Sequence, residues 1–273
     1  MGIGTYSSAL ELAEKSGRHT TCNYCGADTL IVGRAGICSC CELPIASDTA
    51  AVHGGAQAQP DIAKVKELVE ANDYDGAANA YDALYKESKD PAYLYAEALL
   101  RIRQSNAQIS GIRYDRRGFM EENAIMRDNA AKFASAARGL LNDAISACSI
   151  YLDEERPPIS ALYLSFICHI KLSNLREASV LAERINGIDG YLGAYSRMLL
   201  EINLLEPGPA LKDAELLLKP DSFSINALFY IAMALFDTKR YGESKAVIEM
   251  LQQHMQNGQT MALANEIDAA MRV

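Results

Sequence analysis

The segment Asn72-Asp73-Tyr74-Asp75-Gly76-Ala77-Ala78-Asn79-Ala80-Tyr81 predicts a turn that leads into a helix, and comparable segments recur further along the chain. The second runs from Leu172 to Ala178 and the third from Thr238 to Ala246. Each of these two follows a predicted helix, 160–171 and 225–236, in which apolar residues recur every three to four positions. Strand signals are absent from this part of the chain, which is therefore predicted to be mainly α-helical.

The three segments resemble tetratricopeptide repeats (TPR), which are helix pairs with a period of about 34 residues. In the family pattern, Ala77, Ala178 and Ser244 take the small position at which the two helices cross. The resemblance covers roughly residues 62–256 and implies a TPR-like α-solenoid of helix pairs. An irregular α-helical bundle with repeat-like turns is the alternative, because the chain has no Trp, which the family usually carries.

The distances between these small residues cluster about the family period. Ala178 follows Ala77 by 101 residues, close to three periods, and Ala214 lies 36 residues after Ala178 and 30 before Ser244. The middle of the domain, 105–152, does not show the motif. It is predicted to be an enlarged segment with a loop followed by one or two long helices.

In such solenoids the first helix of each pair lines a concave groove. The resemblance places mostly apolar residues there, and these are predicted to bind a protein partner: Tyr163, Leu164, Ile167, Phe229, Tyr230, Met233 and Phe236. An exposed apolar wall of this kind needs a cover. A partner helix, a second copy of the chain, or its own C-terminal helix at 260–271 would each provide one.

Upstream of the helices, two cysteine pairs have the spacing of a tetrathiolate metal site. Cys22 and Cys25 form one C-x-x-C pair, Cys38 and Cys41 form the other, and twelve residues lie between the pairs. A C-x-x-C turn lets two thiolates approach one ion, and Zn²⁺ takes four such ligands at about 2.3 Å. Disulfide-bonded or merely reduced thiols are the alternative, which the odd total of seven cysteines makes weaker.

The stretch from residue 20 to 45 resembles a zinc ribbon, with a short strand predicted at 29–32 between the two pairs. All four ligand positions are filled by the protein, so one structural zinc ion is predicted rather than a catalytic one. Cys40 is assigned as a spare thiol, and His19 or His53 replacing a ligand is the less favoured assignment. A module this small cannot bury a self-sufficient core without the ion.

The remaining boundaries follow from composition. Residues 1–19 are predicted to contain a short amphipathic helix, and 20–45 to form the ribbon. Ala, Gly, Gln, Ser and Thr dominate 46–61, which predicts a flexible linker to the helical repeat domain at 62–273. The start of the chain lacks a signal-peptide pattern, and its longest apolar run has ten residues. These features predict a cytoplasmic protein without a membrane span.

Charge disfavours nucleic acid as a partner, since the net formal charge is −9 and the ribbon carries almost no cations. The exception is residues 101–138, where eight cations outnumber four acidic residues. Within it, Arg113, Arg116 and Arg117 stand beside aromatic residues in a predicted loop, which makes them candidates for binding a partner's phosphate or carboxylate groups.

No catalytic motif is present: the sequence contains neither G-x-S-x-G, nor a Gly-rich phosphate loop, nor H-E-x-x-H. We therefore expect a non-enzymatic adaptor or scaffold in which the helical repeats bind a protein partner. A nucleic-acid or ribonucleoprotein factor that uses the Arg113–Arg117 loop is the alternative. A redox sensor based on Cys40 is a more distant one.

Overall fold

The structure is a computed structural model and describes residues 3–31, 35–46, 62–112, 120–219, 222–223, 225–253 and 258–272. The chain is mainly α-helical, with a small β region near the N-terminus. Within these residues, no helix has the length and apolar character needed to cross a membrane.

The described residues contain twelve helices and six short strands. The helices are α1 (Ile3–Ser16), α2 (Ile62–Glu70), α3 (Tyr74–Ser88), α4 (Ala92–Ser110), α5 (Met120–Leu152), α6 (Ile159–Lys171), α7 (Leu175–Asn186), α8 (Gly190–Asn203), α9 (Pro207–Leu216), α10 (Ile225–Asp237), α11 (Tyr241–Gln252) and α12 (Gly258–Ala270). The strands are β1 (Arg18–Thr21), β2 (Asp28–Ile31), β3 (Ala35–Ile37), β4 (Pro44–Ala46), β5 (Leu218–Lys219) and β6 (Ser222–Phe223). The strands pair as antiparallel ribbons, β1 with β2, β3 with β4 and β5 with β6.

From α2 onward the helices pack in sequence, each against the next. They form five antiparallel pairs, α2–α3, α4–α5, α6–α7, α8–α9 and α10–α11, and α12 packs on the last pair. The first helices of successive pairs also touch, α4 with α6, α6 with α8 and α8 with α10. This arrangement confirms the predicted mainly α, solenoid-like fold.

The same turn joins the two helices in four of the five pairs. Its central residue has a left-handed φ of 58° to 60° and is Asn72, Ser173, Leu205 or Lys239. The amide of the following residue donates to the carbonyl five residues earlier, as in Asn174 N to His169 O at 2.9 Å. This is the 6→1 bond of a Schellman motif, which satisfies carbonyls at the helix end.

These turns show which residues are equivalent between the pairs. Counting from each turn, the crossing position falls on Ala77, Ala178, Ala210 and Ser244, and all four are fully buried. The predicted residue Ala214 is therefore wrong by one helical turn. The turn between α8 and α9 contains Leu204 and Leu205, so the pattern of apolar residues in the sequence runs across it without a break.

The loop predicted at the start of the enlarged middle is wrong for 105–110, which continue α4, and one long helix forms the second part. Helix α5 has 33 residues and packs along α4, which makes these two the second pair of the stack. Residues 113–119, which include the predicted loop arginines, lie outside the described residues, as do 47–61 of the predicted linker. Ala46, the first residue of that linker, belongs to β4.

Both chain ends that the structure describes pack on the last helix pairs. Helix α1 packs against α11, and the Tyr6 hydroxyl donates to Glu215 Oε1 of α9 at 2.8 Å. At the other end, Leu263 and Ile267 of α12 are buried against the stack, whereas Met271 is 51% exposed. Helix α12 therefore caps the end of the stack.

Gly193 marks the closest approach of α7 and α8. A Cβ atom added there would lie 2.5 Å from Asn186 Cα, which is backbone and cannot rotate away. We expect Gly193→Ala to lower the free energy of unfolding by about 2 kcal/mol through overpacking. Urea denaturation measures this, with Gly139→Ala as the control. Gly139 lies in α5 with no neighbour within 4 Å of such a Cβ, and there alanine should stabilise the helix. Equal effects at the two sites would contradict this account.

Glu201 of α8 should make stability depend on pH. Burial, reinforced by Asp213, raises the pKa of the Glu201 carboxyl from 4.5 to about 7 although Arg197 opposes the shift. Between these two pH values the folded chain holds a proton that the unfolded chain has released, so stability falls as pH rises through this window. We expect Glu201→Gln to flatten this dependence and to raise the urea midpoint at pH 8. An unchanged pH profile in Glu201→Gln would contradict this prediction. Glu183→Gln removes a carboxylate from an exposed position and is the control.

Candidate metal centre and its docking site

The four predicted ligand thiols converge in the cysteine module, the β region from Arg18 to Ala46. The Sγ atoms of Cys22, Cys25, Cys38 and Cys41 all lie within 4.8 Å of one another. Cys22 and Cys41 are 3.6 Å apart, and Cys25 and Cys38 are 3.5 Å apart. Four thiolates around an ion at 2.3 Å have a tetrahedral edge of about 3.8 Å. The cluster is therefore compatible with a metal site.

Two loops of nearly identical backbone present these thiols. In the first knuckle, Cys22–Ala27, the Cys22 amide donates to Ala27 O and the Gly26 amide to Cys22 O, both at 2.9 Å. In the second knuckle, Cys38–Leu43, the Cys38 amide donates to Leu43 O at 2.9 Å and the Glu42 amide to Cys38 O at 3.1 Å. Each loop begins where a strand ends, the first after β1 and the second after β3. Both loops therefore bring their cysteines to the same cluster.

Hydrogen bonds to sulfur favour the thiolate form, which is the form that binds metals. The Tyr24 amide donates to Cys22 Sγ at 3.4 Å, and the Cys40 and Cys41 amides donate to Cys38 Sγ at 3.4 and 3.5 Å. Hydrogen bonds from the other cluster thiols, first of all Cys22, lower the pKa of Cys38, whereas hydrogen bonds with Cys22 and Cys38 raise the pKa of Cys25 and burial raises that of Cys41. The donor set thus fits a thiolate-bound cation.

The other three cysteines lie outside the cluster. Cys40 is exposed, and Arg103 donates to its Sγ at 3.9 Å. Cys148 and Cys168 are fully buried among the helices, where burial raises the pKa of both thiols, that of Cys148 to about 12. His19 is exposed on β1, and His53 lies outside the described residues.

The second knuckle is bound by the first helices of three helix pairs, which are the helices that line the concave face in solenoids of this kind. Side chains from three different first helices donate to its backbone carbonyls. Tyr95 of α4 binds Cys41 O at 3.1 Å, Tyr163 of α6 binds Glu42 O at 3.0 Å, and Asn226 of α10 binds Cys38 O at 3.0 Å. We call this surface of α4, α6 and α10 the concave wall.

A carboxylate completes the contact. Glu42 Oε2 accepts from Lys171 Nζ of α6 at 2.8 Å, and Glu42 Oε1 accepts from the Tyr230 hydroxyl of α10. Burial by itself raises the pKa of the Glu42 carboxyl, but Lys171 and Tyr230 outweigh it, so that the pKa is lower than usual. Glu42 is therefore held as a carboxylate between two helices.

Glu42 occupies a backbone position that favours glycine. Its φ is 62°, and the corresponding residue of the first knuckle is Gly26, with φ 71°. A non-glycine residue in this conformation costs about 1–2 kcal/mol. The contacts of the Glu42 side chain with Lys171 and Tyr230 offset this cost. At Gly26 a Cβ atom would lie 3.2 Å from Lys66 Cβ, so the first knuckle leaves little room for a side chain.

Apolar residues of the module join the core of the helical stack. Ile37, Leu43 and Ile45 are buried in one continuous cluster with side chains of α4, α6, α8 and α10. The first knuckle contributes Tyr24, whose ring contacts Tyr93 edge to face with centroids 5.7 Å apart. The module thus packs as part of the core rather than as a separate unit.

Two of the predicted partner-binding residues, Tyr163 and Tyr230, contact the second knuckle. Tyr163, Leu164 and Ile167 are buried, and the four on α10 are partly buried: Phe229, Tyr230, Met233 and Phe236. The sequence suggested three covers for the apolar wall: a partner helix, a second copy of the chain, or its own C-terminal helix. Around Tyr163 and Tyr230 the structure shows a different cover, which is the second knuckle. Partner binding by these residues stays a prediction, as it does for Arg113, Arg116 and Arg117.

Sequence reasoning missed the residues that hold the knuckle, namely Tyr95, Lys171, Asn226 and Glu42. One signal was available: aligning the two C-x-x-C pairs sets Glu42 opposite Gly26, a position that favours glycine. Comparison of the chain with protein-family models, with curated proteins and with solved structures gave no match.

Proposed function

We propose that this chain is a non-enzymatic scaffold in which a structural zinc ribbon is built into a TPR-like solenoid that binds a protein partner. The observation that carries the proposal is the insertion of the second knuckle into the concave wall. A surface that holds a loop through three carbonyls and a carboxylate is chemically suited to protein recognition.

The choice of zinc rests on the ligand set. Four cysteine thiolates in two C-x-x-C turns are typical of structural Zn²⁺ sites, because four soft ligands leave no position open for water or substrate. The ion would fix the fold of a module with few buried residues of its own. The assignment to the TPR family is supported by four equivalent turns and by small buried residues at the helix crossings.

Crosslinking followed by mass spectrometry in the native cell tests the scaffold function. We expect crosslinks from lysines of the helical domain to one or a few proteins at stoichiometric yield. The absence of any protein crosslink to the full chain, while crosslinks within the chain form normally, would overturn the proposal.

A nucleic-acid-associated factor is the second candidate, supported by cations on α5. Arg127, Lys132 and Arg138 are all exposed there, downstream of the Arg113–Arg117 loop. Electrostatic binding of this kind weakens steeply with salt. RNA or DNA retardation at low salt that disappears in 200 mM salt would favour this function, and no retardation at low salt would exclude it.

A further inference from the structure

Two of the groups that the concave wall binds belong to residues that would also bind the metal, and the others belong to their neighbour Glu42. Cys38 and Cys41 each offer a thiolate to the ion and a carbonyl to the wall, to Asn226 and Tyr95 respectively. Glu42 follows directly and supplies the carboxylate. Ion binding and insertion into the wall therefore act on one six-residue loop.

The loop needs its folded conformation to make these contacts. Three carbonyls must point to three different helices at once, and Glu42 must adopt a left-handed φ of 62°. Coordination of Cys38 and Cys41 by one ion would impose this conformation before the loop meets the wall. By thermodynamic linkage, the free energy that ion binding adds to insertion equals the free energy that insertion adds to ion binding.

We propose that the metal ion controls access to the concave wall: the ion-held knuckle closes the wall, and loss of the ion opens it to an acidic turn of a protein partner. The second half rests on the proposed scaffold function and names the chemistry of its partner. The first half depends only on contacts within the chain.

The chemistry of that partner follows from what the wall loses. When the knuckle leaves, the Tyr95 and Tyr163 hydroxyls, the Asn226 amide and the Lys171 ammonium all lose the acceptors described above. In the opened wall these donors face water, so a ligand that covers them must offer acceptors at the same places or leave them buried and unpaired. A turn with free carbonyls and one carboxylate side chain meets this requirement, as the chain's own residues do.

Zinc transfer to an excess of chelator tests the linkage in the full chain. We expect Lys171→Met and Tyr163→Phe each to accelerate zinc loss at least tenfold, although neither residue belongs to the ligand set. Lys86→Met removes an equivalent ion pair, with Asp82, from an exposed position on α3 and should leave the rate unchanged. Equal rates in all four proteins would overturn the proposal.

Access to the wall is tested with a peptide that copies residues 36–45, closed by a Cys38–Cys41 disulfide and carrying Ser in place of Cys40. We expect it to bind the zinc-depleted chain at least tenfold more tightly than the zinc-loaded chain. Replacing Glu42 by Gln in the peptide should abolish this difference. Equal binding with and without zinc would overturn the proposal.

The variant Glu42→Gly keeps the second test valid if zinc depletion unfolds the chain. Glycine accepts the left-handed backbone, as Gly26 does in the first knuckle, so zinc binding is expected to persist while the carboxylate is lost. The zinc-loaded variant should bind the peptide at least tenfold more tightly than the zinc-loaded wild type, and equal affinity would count against the proposal.

None of these measurements uses a cellular partner. A negative result in these measurements would therefore not contradict the scaffold function. A negative crosslinking result would likewise not contradict the linkage between ion binding and insertion of the knuckle.

Discussion

Replacing Cys38 with serine is expected to abolish stoichiometric zinc binding and to unfold the cysteine module while the helices remain. Structural zinc contributes about 10–16 kcal/mol of apparent binding free energy to small modules of this kind. Cys38 is central to the cluster because two backbone amides, those of Cys40 and Cys41, donate to its sulfur. Metal analysis of the purified chain gives the stoichiometry, and hydrogen exchange reports on the amides of residues 18–46.

Cys40→Ser is the matched control, since Cys40 is two residues away but exposed and outside the thiol cluster. It should retain one zinc ion and the exchange protection of the module. If both variants lost the metal equally, the assignment of Cys40 as a spare thiol would be wrong. If neither lost it, the cluster would not be a zinc site.

Lys171→Met is expected to lower the free energy of unfolding by about 3 kcal/mol. Removing one partner of an ion pair leaves the other charge without compensation, which costs about 3–5 kcal/mol where the pair is fully buried. The lower end applies because the Lys171 and Glu42 side chains are 30% and 14% exposed and Tyr230 still donates to Glu42. Denaturation in guanidinium chloride, monitored by circular dichroism, measures the change.

The same substitution at Lys86 distinguishes burial from charge. Lys86 pairs with Asp82 within α3, where the two side chains are 68% and 48% exposed. Pairs of this kind contribute at most about 0.5 kcal/mol. Equal destabilisation by Lys86→Met and Lys171→Met would show that the contact between Glu42 and the concave wall adds no special stability.

The helical fold could be predicted because its determinants are local. Asp73, for example, accepts a hydrogen bond from the Gly76 amide and so begins α3 where the sequence placed the turn. The turn before α9 could not be located in the same way. Leu205 is apolar yet 83% exposed in that turn, so hydrophobic periodicity does not mark the end of α8.

The metal ligands were predictable for a similar reason, since the spacing within each C-x-x-C pair fixes which thiols meet. The docking site was not predictable, because its partners are far apart in sequence: Asn226 binds the carbonyl of a residue 188 positions earlier. Helical periodicity marked the concave wall as apolar, yet it does not reveal which part of the chain covers it. Only the placement of Glu42, Tyr163 and Tyr230 together shows that the wall closes on the module.

The long sequence separation of these contacts bears on the order in which the protein is made. A ribosome produces the second knuckle, residues 38–43, before any helix of the concave wall, and Tyr230 follows it by nearly the whole length of the stack. During translation the knuckle therefore has no receptor to enter. Its cysteines are accessible to metal ions while still uncovered, so we expect ion binding to precede burial, and the last helix pairs to emerge complete the enclosure.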